Sequence, residues 1–270
     1  MTAGPVTGMV AEARRRRRWV LVALEVAVPV LLLAAYAAWA AGRESFYFPA
    51  LGTIAERFAD LWLSERAAED VLPSLRRLGI GYALCVVLGV GIGLVLGAFR
   101  VVQQGVQPFA EFLRALPAIA LIPFGILVFG TGDTMKVFII VVGAVWPILL
   151  NTVDGVRGVD RGMLEMARAY SVGRWGRIRD IVIPAALPRV VAGMRTSLSI
   201  AIILMVVSEM VASRDGVGYF VLESQRRFAI GDMWAGIILL GIIGYVANFL
   251  FVQAERRVLH WHRESKGAAR

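Results

Sequence analysis

Residues 165–184 read EMARAYSVGRWGRIRDIVIP, an arginine-rich stretch in a mostly apolar chain. Arginines stand at 168, 174, 177 and 179, small residues separate them, and Pro184 closes the run. Three readings are open: a helix-turn-helix that reads nucleic acid, a solvated loop, or a docking surface for a partner. The surrounding sequence separates them.

The chain has 270 residues, 58% of them apolar, with a mean hydropathy of +0.69. A soluble domain holds about 45 to 50% apolar residues, so the excess points to membrane. Six apolar windows stand out: Trp19–Ala41, Leu75–Phe99, Phe109–Gly130, Met135–Thr152, Ala185–Ala212 and Met233–Val252. Most reach the roughly 20 residues that cross a hydrocarbon core of about 30 Å; the fourth is the shortest. The first follows a basic run, but its apolar body is longer than a signal-peptide core and predicts an uncleaved anchor. Cys85, the one cysteine, lies in the second window, so neither an intrachain disulfide nor a cysteine metal site is available. His260 and His262 lie in the basic tail and read as solvated.

A net charge of +9 would suggest nucleic acid in a soluble chain. With six spans and the N-terminus inside, the inner segments carry eighteen basic and seven acidic residues, the outer ones nine and ten. The excess therefore sits on one side, as the positive-inside rule requires. The run Arg14 to Arg18 is an orientation signal first and a contact for anionic lipid second.

This divides the chain into a cytoplasmic basic tail (1–18), a first transmembrane anchor (19–41), a periplasmic amphipathic segment (42–73), a five-span core (74–255) with an inner loop at 155–183, and a cytoplasmic basic tail (256–270). In the outer segment Phe58, Leu61 and Trp62 recur at helical spacing, predicting an amphipathic helix at the outer interface. Gly89, Gly93 and Gly97 fall at four-residue steps, which in lipid lets another helix approach closely. GTGDTMKV, residues 130–137, lacks the Gly before Lys136 and the Ser or Thr after it that a phosphate loop needs. It reads as a short outer turn, and any ATP must be handled by another polypeptide.

Ionisable groups inside spans each need a reason. Glu25 can pair with the arginine run, and Glu111 with Arg114 along one helix face. Arg195 and Glu209 are fourteen residues apart, about 21 Å along a helix, and cannot pair with each other. Each either lines a polar route or pairs with a neighbouring helix. Asn151, Thr152, Ser197, Ser199 and Asn248 are weaker candidates for the route, since hydroxyls also bond back to their own helix. Pro117, Pro123 and Pro147 predict bends.

Within the loop, Met163, Met166, Ala167 and Tyr170 make one apolar face of a short helix, Gly173 allows a turn, and Trp175, Ile178, Ile181 and Val182 make the face of a second. A DNA reader needs a third helix to bury such faces, and here both ends run into spans. A solvated loop needs no apolar face. The docking reading remains.

At this point the residues resemble a family. Glu165, Ala167, Ser171, Ile181, Ile183 and Pro184 fall on E-A-A-x3-G-x9-I-x-L-P, the cytoplasmic-loop motif of binding-protein-dependent ABC importer permeases, with Met166, Ser171 and Ile183 departing from it. PILLNTVDGVRGVD, IPAALPRVVAGMRTSLSIA and EMVASRDGVGYFV resemble the nitrate, sulfonate, taurine and bicarbonate branch, over roughly residues 72 to 263. The resemblance implies an all-α polytopic protein of six transmembrane helices with the type I permease fold, in the bacterial inner membrane with both termini cytoplasmic. It implies a second copy of the chain, two ATPase subunits that hold the ATP and magnesium, an extracytoplasmic solute-binding protein and a small anionic cargo. This chain would then bind no cofactor or nucleic acid and catalyse no reaction. Glu165, Met166, Ala167, Tyr170, Ser171, Gly173, Arg174, Ile181 and Pro184 would couple it to the ATPase, with Gly173 supplying the flexibility that Ser171 lacks and Pro184 and Pro188 setting the angle of the fifth span. A secondary transporter working without an ATPase, or a non-transporting scaffold, are the rival classes.

Overall fold

Apolar runs of this length can satisfy their backbone polar groups in lipid only by closing them into helices. The computed structural model describes residues 20, 23–24, 27–40, 45–64 and 66–260, and among these it contains helices and loops but no strand. Glu25, Arg14 to Arg18 and His262 lie outside the described residues. The first window is represented by α1, Ala27–Ala40, where Tyr36 Oη donates to the Pro49 carbonyl at 2.8 Å. Helix α2, Leu51–Trp62, follows.

The remainder, Phe58 onward, is a compact unit of its own. It contains α3 (Arg66–Ala98), α4 (Arg100–Ala115), a 3₁₀ turn (Ala118–Leu121), α5 (Ile122–Phe129), α6 (Asp133–Arg157), α7 (Arg161–Ala169), α8 (Arg174–Arg177), α9 (Ile183–Ala212), α10 (Val217–Arg226) and α11 (Ile230–Val258). Among the described residues four helical stretches are long and apolar enough to cross a membrane, and a fifth arises if a bent pair counts as one span.

That bent pair corrects the expectation of one helix at Phe109–Gly130. Helix α4 starts earlier, at Arg100, and turns by 85° into the segment Ala118–Phe129. The break falls at Leu116, whose ψ of 124° is extended. Pro117 forces this, because its ring disfavours helical backbone in the residue before it.

The core is a three-helix contact of α3, α6 and α9. Gly81, Gly89, Gly93 and Gly97 form one stripe on α3, and a Cβ at Gly93 would sit 2.6 Å from Thr152 Cβ and 2.9 Å from the Leu149 carbonyl. The glycines thus permit the close approach the spacing predicts, and the partner is α6. On the other face of α6, a Cβ at Gly193 of α9 would meet the Pro147 carbonyl at 2.6 Å, and Ser197 Oγ donates to the Ala144 carbonyl at 2.6 Å. Cys85, Ile139, Ile140, Ile148 and Met205 fill the centre of this sandwich. Trp62 extends the packing outward, donating from Nε1 to the Ala235 carbonyl and meeting Phe220 edge-on.

Candidate functional site

The inner loop builds outward from the end of α6. Arg157 donates to the Leu96 carbonyl at 3.3 Å, and Arg189 donates to the Asp154 carbonyl at 2.6 Å, so the foot of α6 is tied to α3 and α9. A nine-residue helix such as α7 is marginal alone, and here both ends are capped. Asp160 Oδ1 accepts from the Met163 amide at 3.1 Å. At the other end the Ser171 amide donates to the Arg168 carbonyl and the Val172 amide to the Ala167 carbonyl, both at 2.9 Å. That bond pair is a Schellman ending, which requires its C′ residue to be left-handed.

Ser171 is that residue, with φ at +54°. Gly173 does not take over the role, since its φ is −59° and it stands as the N-cap of α8. A non-glycine residue in this conformation costs about 1 kcal/mol or more. Ser171→Gly is therefore expected to stabilise the end of α7 by about 1 kcal/mol, slowing hydrogen exchange of its last-turn amides about fivefold. Ser171→Val is expected to accelerate it, because a β-branched residue resists this backbone still more. Equal exchange in all three proteins would remove the turn assignment.

The second helix corrects another expectation. It does not form a separate piece set at an angle by Pro184 and Pro188, because Arg174–Ala212 is one helical stretch of 39 residues. A π turn at Ile178–Val182 lets the Ile183 amide reach the Ile178 carbonyl. The wider turn accommodates the proline that follows, whose ring clashes with an ordinary i−4 carbonyl. The loop thus leads into the fifth span without a hinge.

Exposure sorts the loop residues. Tyr170 is 83% and Met166 59% exposed, and Trp175, Met163, Glu165, Gly173 and Arg174 are exposed too. Ile181 and Pro184 are half-buried, whereas Ala167 is only 5% exposed and faces inward. The most exposed apolar side chains of the loop are therefore Met163, Met166, Tyr170 and Trp175.

The residues expected along a polar route fall into separate surroundings. Asn151 bonds back to the Pro147 carbonyl at 2.8 Å, and Ser199 and Asn248 are exposed on α9 and α11. Arg195 is half-exposed and lies 3.7 Å from Glu255 of α11. Glu209 is fully buried and takes the pairing alternative.

Its partner is Arg77, only 2% exposed, a residue the sequence reading did not single out. Arg77 Nε donates to Asp133 at 2.7 Å, Nη1 to Glu209 at 2.9 Å, and Nη2 to Asp215. Ser74 Oγ lies 2.9 Å from both Glu209 oxygens, and the Gly218 amide donates to Oε2 at 3.0 Å. One guanidinium thus joins α3, the start of α6, the end of α9 and the turn before α10. Burial pushes the Asp215 carboxyl up, but the Arg77 hydrogen bond and charge, with Ser213 and Lys136, hold it below the ordinary aspartate range. A depressed carboxyl adds stability at neutral pH that is lost only as pH falls through its folded value. The turn at 130–132 is closed from within, since Lys136 Nζ donates to the Thr131 carbonyl at 2.8 Å. Its lysine is spent on the turn itself.

Comparison with known proteins gives this arrangement a context. Residues 86–260 match the family described as binding-protein-dependent transport system inner membrane component. The putative aliphatic sulfonates transport permease protein of Bacillus subtilis (strain 168) is 33% identical over 215 residues, covering 80% of this chain and 78% of its own. The nitrate import permease protein of Synechococcus elongatus is 33% identical over 177 residues, covering 66% and 63%. Among solved structures, an inward-facing MetNI methionine ABC transporter superposes with a TM-score of 0.60 at 22% identity, over 70% of this chain and 94% of that one.

Proposed function

We propose, for a chain that belongs to the binding-protein-dependent transport system inner membrane components, that α7 and the start of the helix after it are the lever through which ATP hydrolysis moves the spans. The chain is a multi-pass permease subunit of an ABC importer, and ATP is hydrolysed on separate subunits. It works with ATPase subunits inside and a solute-binding protein outside. The observation that carries the lever is the exposed Met163, Met166 and Tyr170 on a doubly capped helix, followed by an unbroken helix into the fifth span whose first turn holds the exposed Trp175.

A lever needs apolar surface to grip its partner and stiffness to transmit force. Docked in a cleft of the ATPase, these side chains supply the first. Glu165 and Arg174 flank them and supply charge, while Ala167, Ser171, Gly173, Ile181 and Pro184 hold the shape of the loop. A second copy of the chain completes the pathway, two ATPase subunits carry the ATP and magnesium, and this chain binds no cofactor of its own. Both termini lie inside, where the basic tails meet anionic lipid.

The cargo class we infer is a small anion. Two relatives are named for aliphatic sulfonates and nitrate, both anions. The test is Glu165→Lys in liposomes holding the permease, its ATPase subunits and solute-binding protein, with ethanesulfonate and nitrate as trial cargoes. Membrane insertion is expected to be normal and ATP hydrolysis to fall to the unstimulated rate. Unchanged stimulation would sink the coupling assignment.

A further inference from the structure

Helix α4 carries a polar stripe that the lever does not use. Gln103, Gln107, Glu111 and Arg114 recur at steps of three and four, so they share one face. Together with α6 residues from Trp146 to Val153 they line a half-open groove of about 200 Å³. On the opposite side Phe109 and Phe112 are exposed, as a lipid-facing surface would be. The groove runs upward from the inner end, because its lining includes Leu96, whose carbonyl binds Arg157 at the foot of α6. Trp146 stands eleven residues before Arg157, about 16 Å along the helix, so the groove reaches toward the middle of the span.

Polar side chains at that depth face water or one another. Here the pairing is incomplete. Glu111 and Arg114 are placed to bond along the helix, yet Glu111 accepts from Gln107 Nε2 at 2.9 Å. Among the described residues the Arg114 side chain makes no hydrogen bond or ion pair. A guanidinium has five donors in a planar fork that matches a planar or tetrahedral oxyanion. The amides of Gln103 and Gln107 add donors without charge.

We propose that this groove is the inner half of the solute path, and that Arg114 is the group that receives an oxyanion in it. The inference rests on the importer reading but not on the lever. It also moves the path away from Arg195 and Glu209, one paired to α11 and the other enclosed. The anion meets one unpaired cation halfway in, with two amides below it along α4 and the carboxylate of Glu111 held by Gln107. A lone cation of this kind favours entry of an anion without a second charge to trap it.

The fully buried Cys85 leaves the chain free for a cysteine test. Inside-out vesicles holding the full transporter with Gln107→Cys are treated with two water-borne methanethiosulfonates, sulfonatoethyl and trimethylammonioethyl. Gln107→Cys is expected to react with both, and Phe112→Cys with neither. The anionic-to-cationic rate ratio at Gln107→Cys is expected to fall about fourfold when Arg114→Gln is added, the factor that one charge about 10 Å away gives through water when it acts oppositely on the two reagents. Arg114→Lys is expected to restore it. An inert Gln107→Cys overturns the path, since lipid or the partner then fills the groove. A ratio unmoved by Arg114→Gln overturns the role of Arg114. Because the readout is labelling, it is independent of ATPase stimulation, and the lever can fail while the groove stands.

Discussion

The double variant Met166→Asp/Tyr170→Asp is expected to lose cargo-stimulated ATP hydrolysis almost completely and to release the ATPase subunits during purification. Fully burying one large apolar side chain is worth about 1.5 to 3 kcal/mol, and Tyr170 and Met166 are exposed enough to contribute most of that on docking. Replacing both with carboxylates removes that gain and places charge in an apolar contact, which costs more unless it is paired. A combined loss of about 4 kcal/mol corresponds to roughly a thousandfold weaker association. The permease itself should be unaffected, since exposed substitutions away from structural features usually change stability by less than about 0.5 kcal/mol. Ala167→Asp would be a poorer test, because Ala167 is buried and a charge there damages the fold before it reaches any partner. Stimulated hydrolysis and co-purification equal to wild type would show that these side chains are not the grip.

Much of the fold is legible in the sequence. Four of the six apolar windows fall on helices long and apolar enough to cross a membrane, because lipid leaves the backbone few alternatives, and the steps between Gly89, Gly93 and Gly97 announced a close helix contact. They did not name the partner, since a glycine stripe records only how near a neighbour comes. The third window misled because an apolar count is the same for a straight helix and for one bent by 85° at Leu116. Pro117 held the signal for a bend, but the residue type does not give the angle, which here comes from the extended backbone of Leu116.

The loop shows the same division. The three- and four-residue steps of Met163, Met166 and Tyr170 gave α7 and its exposed face, but periodicity placed Ala167 on that face although it faces inward. Pro184 and Pro188 read as setting the angle of the fifth span, and the π turn ahead of Pro184 leaves no trace in local pattern. Arg77 went unnoticed because it stands at the outer edge of its window, where arginines are ordinarily solvated. A signal existed: Asp70, Ser74 and Arg77 follow a helical spacing that becomes visible once α3 is extended back through Pro73 to Arg66.

Arg77→Met is expected to be the most destabilising single substitution in the outer half of the protein. Removing one partner of a buried ion pair leaves the other charge uncompensated and costs about 3 to 5 kcal/mol. The surroundings of Glu209 cannot supply a replacement: its oxygens already hold Ser74 and the Gly218 amide, and a Cβ at Gly216 would lie 2.6 Å from its carboxyl carbon. Glu209 is fully buried and has no solvent contact of its own. In Arg77→Met/Glu209→Gln, by contrast, the amide is neutral and can keep the Gly218 bond, so the double variant should recover much of what the single variant loses. Thermal unfolding of the purified complex in detergent should therefore rank wild type first, the double variant second and Arg77→Met last. A double variant that unfolds below Arg77→Met would show that the two residues act separately, and that the four segments are held by packing and not by this guanidinium.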